Sequence, residues 1–104
     1  MASRVNQENF EAEVLQANVP VLVDFYSDSC IPCKQMSPIL SQLEEEYGEQ
    51  VKIVKVNVNF DTELASEYRV MGAPTFVVFV DGKVVNRSHG AKKKEEIKEL
   101  IEKY

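Results

Sequence analysis

VLVDFYSDSCIPCKQMSPIL, residues 21–40, joins two kinds of pattern at one point. Residues 19–27, VPVLVDFYS, form a short β-rich apolar run of the length and composition of a strand buried on both faces. After the cysteines, Met36, Ile39, Leu40, Leu43 and Tyr47 keep a helical period as far as Gly48. Cys30 and Cys33, the only two cysteines of the chain, therefore lie where a strand gives way to a helix. Such a pair is a metal clip, a structural staple or a working dithiol, and its surroundings must decide.

Working outward, Asn6 is placed to cap a first helix whose apolar face is Phe10, Val14 and Leu15. Residues 51–59, VKIVKVNVN, read as a second strand. Asp61 is placed to cap a short helix carrying Leu64 and Tyr68. TFVVFVDGKVVNRS, residues 75–88, reads as a hairpin, because Asp81-Gly82 supplies the two left-handed residues of a tight type I′ turn. A last helix runs from about Lys92, with Ile97, Leu100 and Ile101 facing inward. Strands joined through helices become parallel neighbours, and the hairpin adds antiparallel strands. The expected fold is an α/β sandwich with helices on both faces of a mixed sheet.

The chain of 104 residues has the size of one domain, 1–104, with no repeat or linker. It is 44% hydrophobic and 28% charged, a globular balance with no apolar run of membrane-spanning length. MASRVNQENF lacks the apolar core of a secretory signal, so a cytoplasmic location is expected. A net charge of −5 argues against nucleic acid as the main partner. Lys92–Lys94 run straight into Glu95 and Glu96 and read as a solvated helix start.

Two cysteines are too few for a disulfide-rich scaffold. A closed zinc site takes about four Cys or His ligands, and His89 is the only histidine. Metal binding would need carboxylates or a second subunit, and an inert pair is the other bland alternative. The position at a helix start favours redox chemistry. Cys30 would meet the free N–H groups and positive dipole end of the helix, which favour the attacking thiolate. Cys33, one turn on, would face the same side and resolve the mixed disulfide. Asp28 or Ser29 is placed to cap this helix, and Pro32 fits its first turn. Lys34 adds a positive charge nearby.

Asp24 interrupts the apolar strand. A buried carboxylate holds its proton to higher pH than a surface one, and this one is placed to take the proton of Cys33; the plain alternative is a partly exposed strand-end residue. Lys55, in the next strand, is a candidate charge partner for it. MGAPTF, residues 71–76, reads on its own as an ordinary turn before a strand.

Together these segments resemble the thioredoxin family. The resemblance rests on residues 21–40, KVNVN, GAPTFVVFVDGK and the HGA at 89–91, in order and over nearly the whole chain. It implies a central mixed β-sheet flanked by four helices. It implies a nucleophilic Cys30, a resolving Cys33, a buried proton-transfer Asp24 and a lysine, Lys55, beside it. Pro74 becomes a cis proline facing the dithiol, with Ala73, Gly90, Ile31 and Pro32 at the substrate edge, and Pro38 the helix proline. The implied activity is reduction of disulfides in partner proteins, with recycling by thioredoxin reductase, no bound cofactor or metal, and a monomer as the expected state.

Four positions depart from the usual pattern: Tyr26 and Ser29 where the family commonly has Trp, Ile31 for Gly, and Ala73 for Ile or Val. These leave the reacting groups in place and alter the rim that touches partners. A dedicated carrier for one enzyme system and a non-catalytic binding module are the rival readings. His89 falls at the groove rim by resemblance, either as a pH-sensitive docking residue or as a solvated strand end.

Overall fold

The computed structural model describes residues 2–103. Its elements are β1 (Ser3–Arg4), a π-helical turn (Glu11–Leu15), β2 (Val21–Tyr26), α1 (Ile31–Tyr47), a 3₁₀ turn (Gly48–Gln50), β3 (Lys52–Asn57), α2 (Thr62–Glu67), β4 (Thr75–Val80), β5 (Lys83–His89) and α3 (Lys94–Glu102). Five strands form one sheet in the order β1-β3-β2-β4-β5. β3 is parallel to both β1 and β2. β4 is antiparallel to β2 and to β5. Among the described residues, no helix is long and apolar enough to cross a membrane.

Period-two alternation in the strands sorts the core into two layers. Val21, Val23 and Phe25 of β2 join Phe10, Val14, Val54, Val56, Leu64, Val77 and Phe79 on one face. Leu22 joins Ile53, Phe76 and Val78 on the other, against Met36, Leu40 and Leu43 of α1 and Ile97 and Ile101 of α3. The central strands are buried on both faces, which is why β2 and β4 read as nearly unbroken apolar runs.

Several local expectations are corrected. β1 was unread: two exposed residues have no period, and the strand is pinned by the buried Val5, whose N–H donates to the Lys55 carbonyl at 2.9 Å. Asn6 does accept from the N–H groups of Glu8 and Asn9. The helix expected after it is only a five-residue π-helical turn, with the Gln16 N–H donating to Glu11 O. Phe10 is held there between Tyr68 and Phe79, with ring centroids at 5.4 and 5.7 Å. Asp61 precedes α2 as expected, yet its Oδ1 accepts the Gln7 N–H and makes no cap bond to the helix. α3 begins at Lys94, with the Lys93 N–H donating to Glu96 Oε1 at 2.8 Å and the Glu96 N–H to the Lys93 carbonyl at 3.0 Å.

The Asp81-Gly82 turn has the expected positive φ at both residues, 52° and 77°. Gly82 also packs against the π-helical turn: a Cβ there would lie 2.9 Å from the Leu15 carbonyl oxygen.

Candidate active site around Cys30 and Cys33

Cys30 and Cys33 are joined by a disulfide, with Cα atoms 5.2 Å apart. The residue capping α1 is Cys30 itself, and neither Asp28 nor Ser29 does so. Its Sγ accepts the Cys33 backbone N–H at 3.0 Å. Asp28 is drawn elsewhere: its Oδ1 accepts from Asn57 Nδ2, and its N–H donates to Asn59 Oδ1, both at 2.9 Å. Asn57 and Asn59 thus tie the turn before the dithiol to the end of β3. Sequence reasoning overlooked both, although two asparagines spaced by one at a strand end were a readable sign.

A sulfur at the N-cap meets an unpaired amide and the positive end of a 17-residue helix. In the reduced protein this arrangement favours the thiolate of Cys30. The two sulfurs differ little in access: Cys30 is 9% exposed and Cys33 6%. The difference between the two sulfurs lies in helix position more than in burial. Pro32 occupies the second helical position, where no N–H is needed. α1 continues through Pro38, which lacks the N–H that would have bonded to Lys34.

Asp24 is 4% exposed and sits on the α1 face of β2. Its Oδ1 has no hydrogen-bond partner. Burial raises its pKa to about 7, against an opposing pull from the Lys55 charge. Lys55 is its register partner on β3, and the Lys55 ammonium lies 5.3 Å from the centre of the Tyr26 ring. A cavity of about 160 Å³ is lined by Asp24, Cys33 and Lys55 together with Tyr26, Lys34 and Ser37. Asp24 and Cys33 therefore line one half-open cavity, large enough for a bridging water.

The Ala73–Pro74 bond is cis. Thr75 pairs with Phe25, which puts Pro74 at the end of the sheet from which the dithiol loop departs. The Gly90 N–H donates to the Pro74 carbonyl at 2.8 Å, bringing Gly90 to the same loop. Thr75, buried and not singled out beforehand, donates its hydroxyl to Gly72 O at 2.6 Å. Beside this loop runs an open groove lined by Ser27, Val58, Ala65, Val70, Met71 and Ala73. Ile31 is 68% and Met71 94% exposed, so the rim of the dithiol is apolar. Among the described residues, no cluster of three or more His, Cys, Asp or Glu could hold a metal ion.

Residues 1–103 match the sequence model of the family described as Thioredoxin. The chain is 36% identical over 104 residues to thioredoxin 1 of Synechococcus elongatus, covering 100% of this chain and 97% of that protein. It is 41% identical over 101 residues to thioredoxin of Bacillus subtilis, covering 97% and 95%. With thioredoxin C-2 of Corynebacterium nephridii it shares 42% over 95 residues, covering 91% and 88%.

The chain belongs to the thioredoxin family. Its mixed five-stranded sheet with flanking helices is the thioredoxin fold. With the Cys30–Cys33 pair it is a thiol–disulfide oxidoreductase acting on disulfide substrates.

Proposed function

We propose that this thioredoxin is one domain, residues 1–104, that reduces disulfides in other proteins as a monomer in the cytoplasm and is recycled by thioredoxin reductase. The Cys30 thiolate attacks a substrate disulfide. A Cys30–substrate disulfide forms, and one substrate thiolate leaves. Asp24 takes the proton of the Cys33 thiol, the resulting thiolate attacks the Cys30 sulfur, and the second substrate thiolate leaves. Two electrons pass to the substrate, and the protein is left with a Cys30–Cys33 disulfide. The reductase returns two electrons to restore the dithiol. Lys55 moderates the rise in the Asp24 pKa, so that the carboxyl gains and loses a proton near neutral pH.

An extended substrate peptide lies along the Ala73–Pro74 edge, with Ile31, Pro32 and Gly90 around it. The observation that carries the mechanism is the cavity shared by Asp24 and Cys33. The exposed Ile31 and Met71 favour a second reading, a carrier selective for one enzyme system. One experiment addresses both. Cys33→Ser is expected to hold substrates as mixed disulfides on Cys30, while Cys30→Ser is inactive in insulin reduction. An active Cys30→Ser protein would overturn the mechanism. Many trapped proteins support the general reductase; a single one supports the selective carrier.

A further inference from the structure

His89 ends β5 and pairs in register with Thr75, the residue that follows the cis proline. Its Nδ1 lies 3.2 Å from Thr75 Oγ1. The Thr75 hydroxyl has one proton, and the shorter contact, to Gly72 O at 2.6 Å, takes it. Thr75 Oγ1 is then left to accept, so His89 Nδ1 carries the hydrogen. The ring lies directly against Gly72: a Cβ built there would meet His89 Cε1 at 2.8 Å and Nε2 at 3.6 Å. A Cβ at this position would push the imidazole away from the base of the Ala73–Pro74 loop.

Because Nδ1 is the donor in both forms, protonation at Nε2 adds a charge without breaking the bond to Thr75. The ring is solvent-exposed, so that charge faces outward at the docking edge. Basic groups lie on the segments around it. From β5, Arg87 sends its guanidinium to the carbonyls of Tyr68 and Arg69 on the connection after α2. That connection also carries Arg69. From the segment before α3, the Lys92 ammonium bonds to the His89 carbonyl. β4 contributes only the uncharged Thr75 at this contact. Glu67, at the end of α2 beside Tyr68, is the acidic group on that side, and Lys92 is the charge bonded to the His89 backbone itself.

We propose that His89 is a specificity residue whose protonation favours substrate disulfides flanked by carboxylates. The proposal rests on the reading that substrates lie along the Ala73–Pro74 edge. A protonated imidazole carries a positive charge that the neutral ring lacks, so acidic substrates gain an advantage when the ring is protonated.

The test uses two synthetic peptide disulfides that differ only in carrying Glu or Gln on either side of the cystine. Their kcat/KM ratio is measured from pH 5.5 to 8.0, which cancels the pH dependence of the thiol chemistry. In wild type the Glu/Gln ratio is expected to rise about two- to fivefold as pH falls, the range of an exposed ion pair. His89→Asn and His89→Gln, which keep a donor but no titration, are expected to give a flat ratio. A flat wild-type ratio with both peptides reduced normally overturns this proposal alone. The same pH dependence in either uncharged variant also overturns it. Were neither peptide reduced by wild type, the docking reading would fall, and this proposal with it.

Discussion

At pH 7 the Asp24 carboxyl is divided between its two protonation states, because burial lifts its pKa from 3.8 to about 7. The folded protein therefore binds more protons than the unfolded chain between these values. The stability contributed by the neutral carboxyl is complete below about pH 3.8 and is lost as pH rises through 7. Above that, an ionised group is held in an apolar site. Asp24→Asn removes this loss, and urea denaturation should show a gain that grows with pH, to a limit of ~4 kcal/mol. The same variant should slow release of substrate from the mixed disulfide, seen as accumulation of the Cys30 adduct in rapid quench. Cys30, as the N-cap, accepts the Cys33 N–H at its Sγ. In the reduced protein, alkylation of Cys30 should have its midpoint below the ~8.5 of a free thiol. A midpoint at or above that value would contradict the role of the helix start. Asp24 was legible as an apolar-run interruption, and Cys30 and Cys33 as a pair. Cys30 as the cap was not, because Asp28 and Ser29 are better capping types and only the bonds to Asn57 and Asn59 draw Asp28 away.

Elements with a sustained period read well, and those shorter than a period did not. β2, α1, β4 and the Asp81-Gly82 turn follow from apolar runs, helical spacing and turn chemistry within one or two residues. β1 has two residues and exists only because β3 offers an edge. The π-helical turn follows from the packing of Phe10 against Tyr68 and Phe79, residues distant in sequence. Gly82 joins these regions, since it faces a backbone oxygen of that turn and has φ of 77°. Gly82→Ala meets both the contact and the left-handed strain. It is expected to cost about 1–3 kcal/mol by denaturant titration, with no change in the reactivity of Cys30. A neutral Gly82→Ala would mean that the hairpin tip does not bear on the turn beneath it.

Across the whole molecule, chemistry collects at one end of the sheet. The C-terminal end of β2, the start of α1 and the Ala73–Pro74 loop meet there, while the hairpin tip lies at the other. The surface at the reactive end is apolar at Ile31 and Met71 in a chain that is acidic overall. Ile31→Ser should raise KM for protein disulfides by up to about tenfold, the scale of one aliphatic side chain removed from water. It should leave exchange with a small disulfide unchanged, because that reaction needs only the dithiol. An equal loss with both would locate the effect in the thiol chemistry and away from docking. The mixed sheet and the place of Cys30 and Cys33 at the start of α1 could be read from local patterns, whereas Pro74 as a cis proline came from the resemblance. The bonds of Asn57, Asn59 and Thr75 could not, because they cross between strands and loops, and His89 was placed at the rim by resemblance without its bond to Thr75.

Tyr26 lines the cavity of Cys33 and lies under the Lys55 ammonium, and the chain has no tryptophan. Its phenol therefore stands as an optical label beside the sulfur that changes oxidation state. With no indole to mask it, the emission of the four tyrosines is expected to differ between the oxidised and reduced protein, and Tyr26→Phe to remove most of that difference.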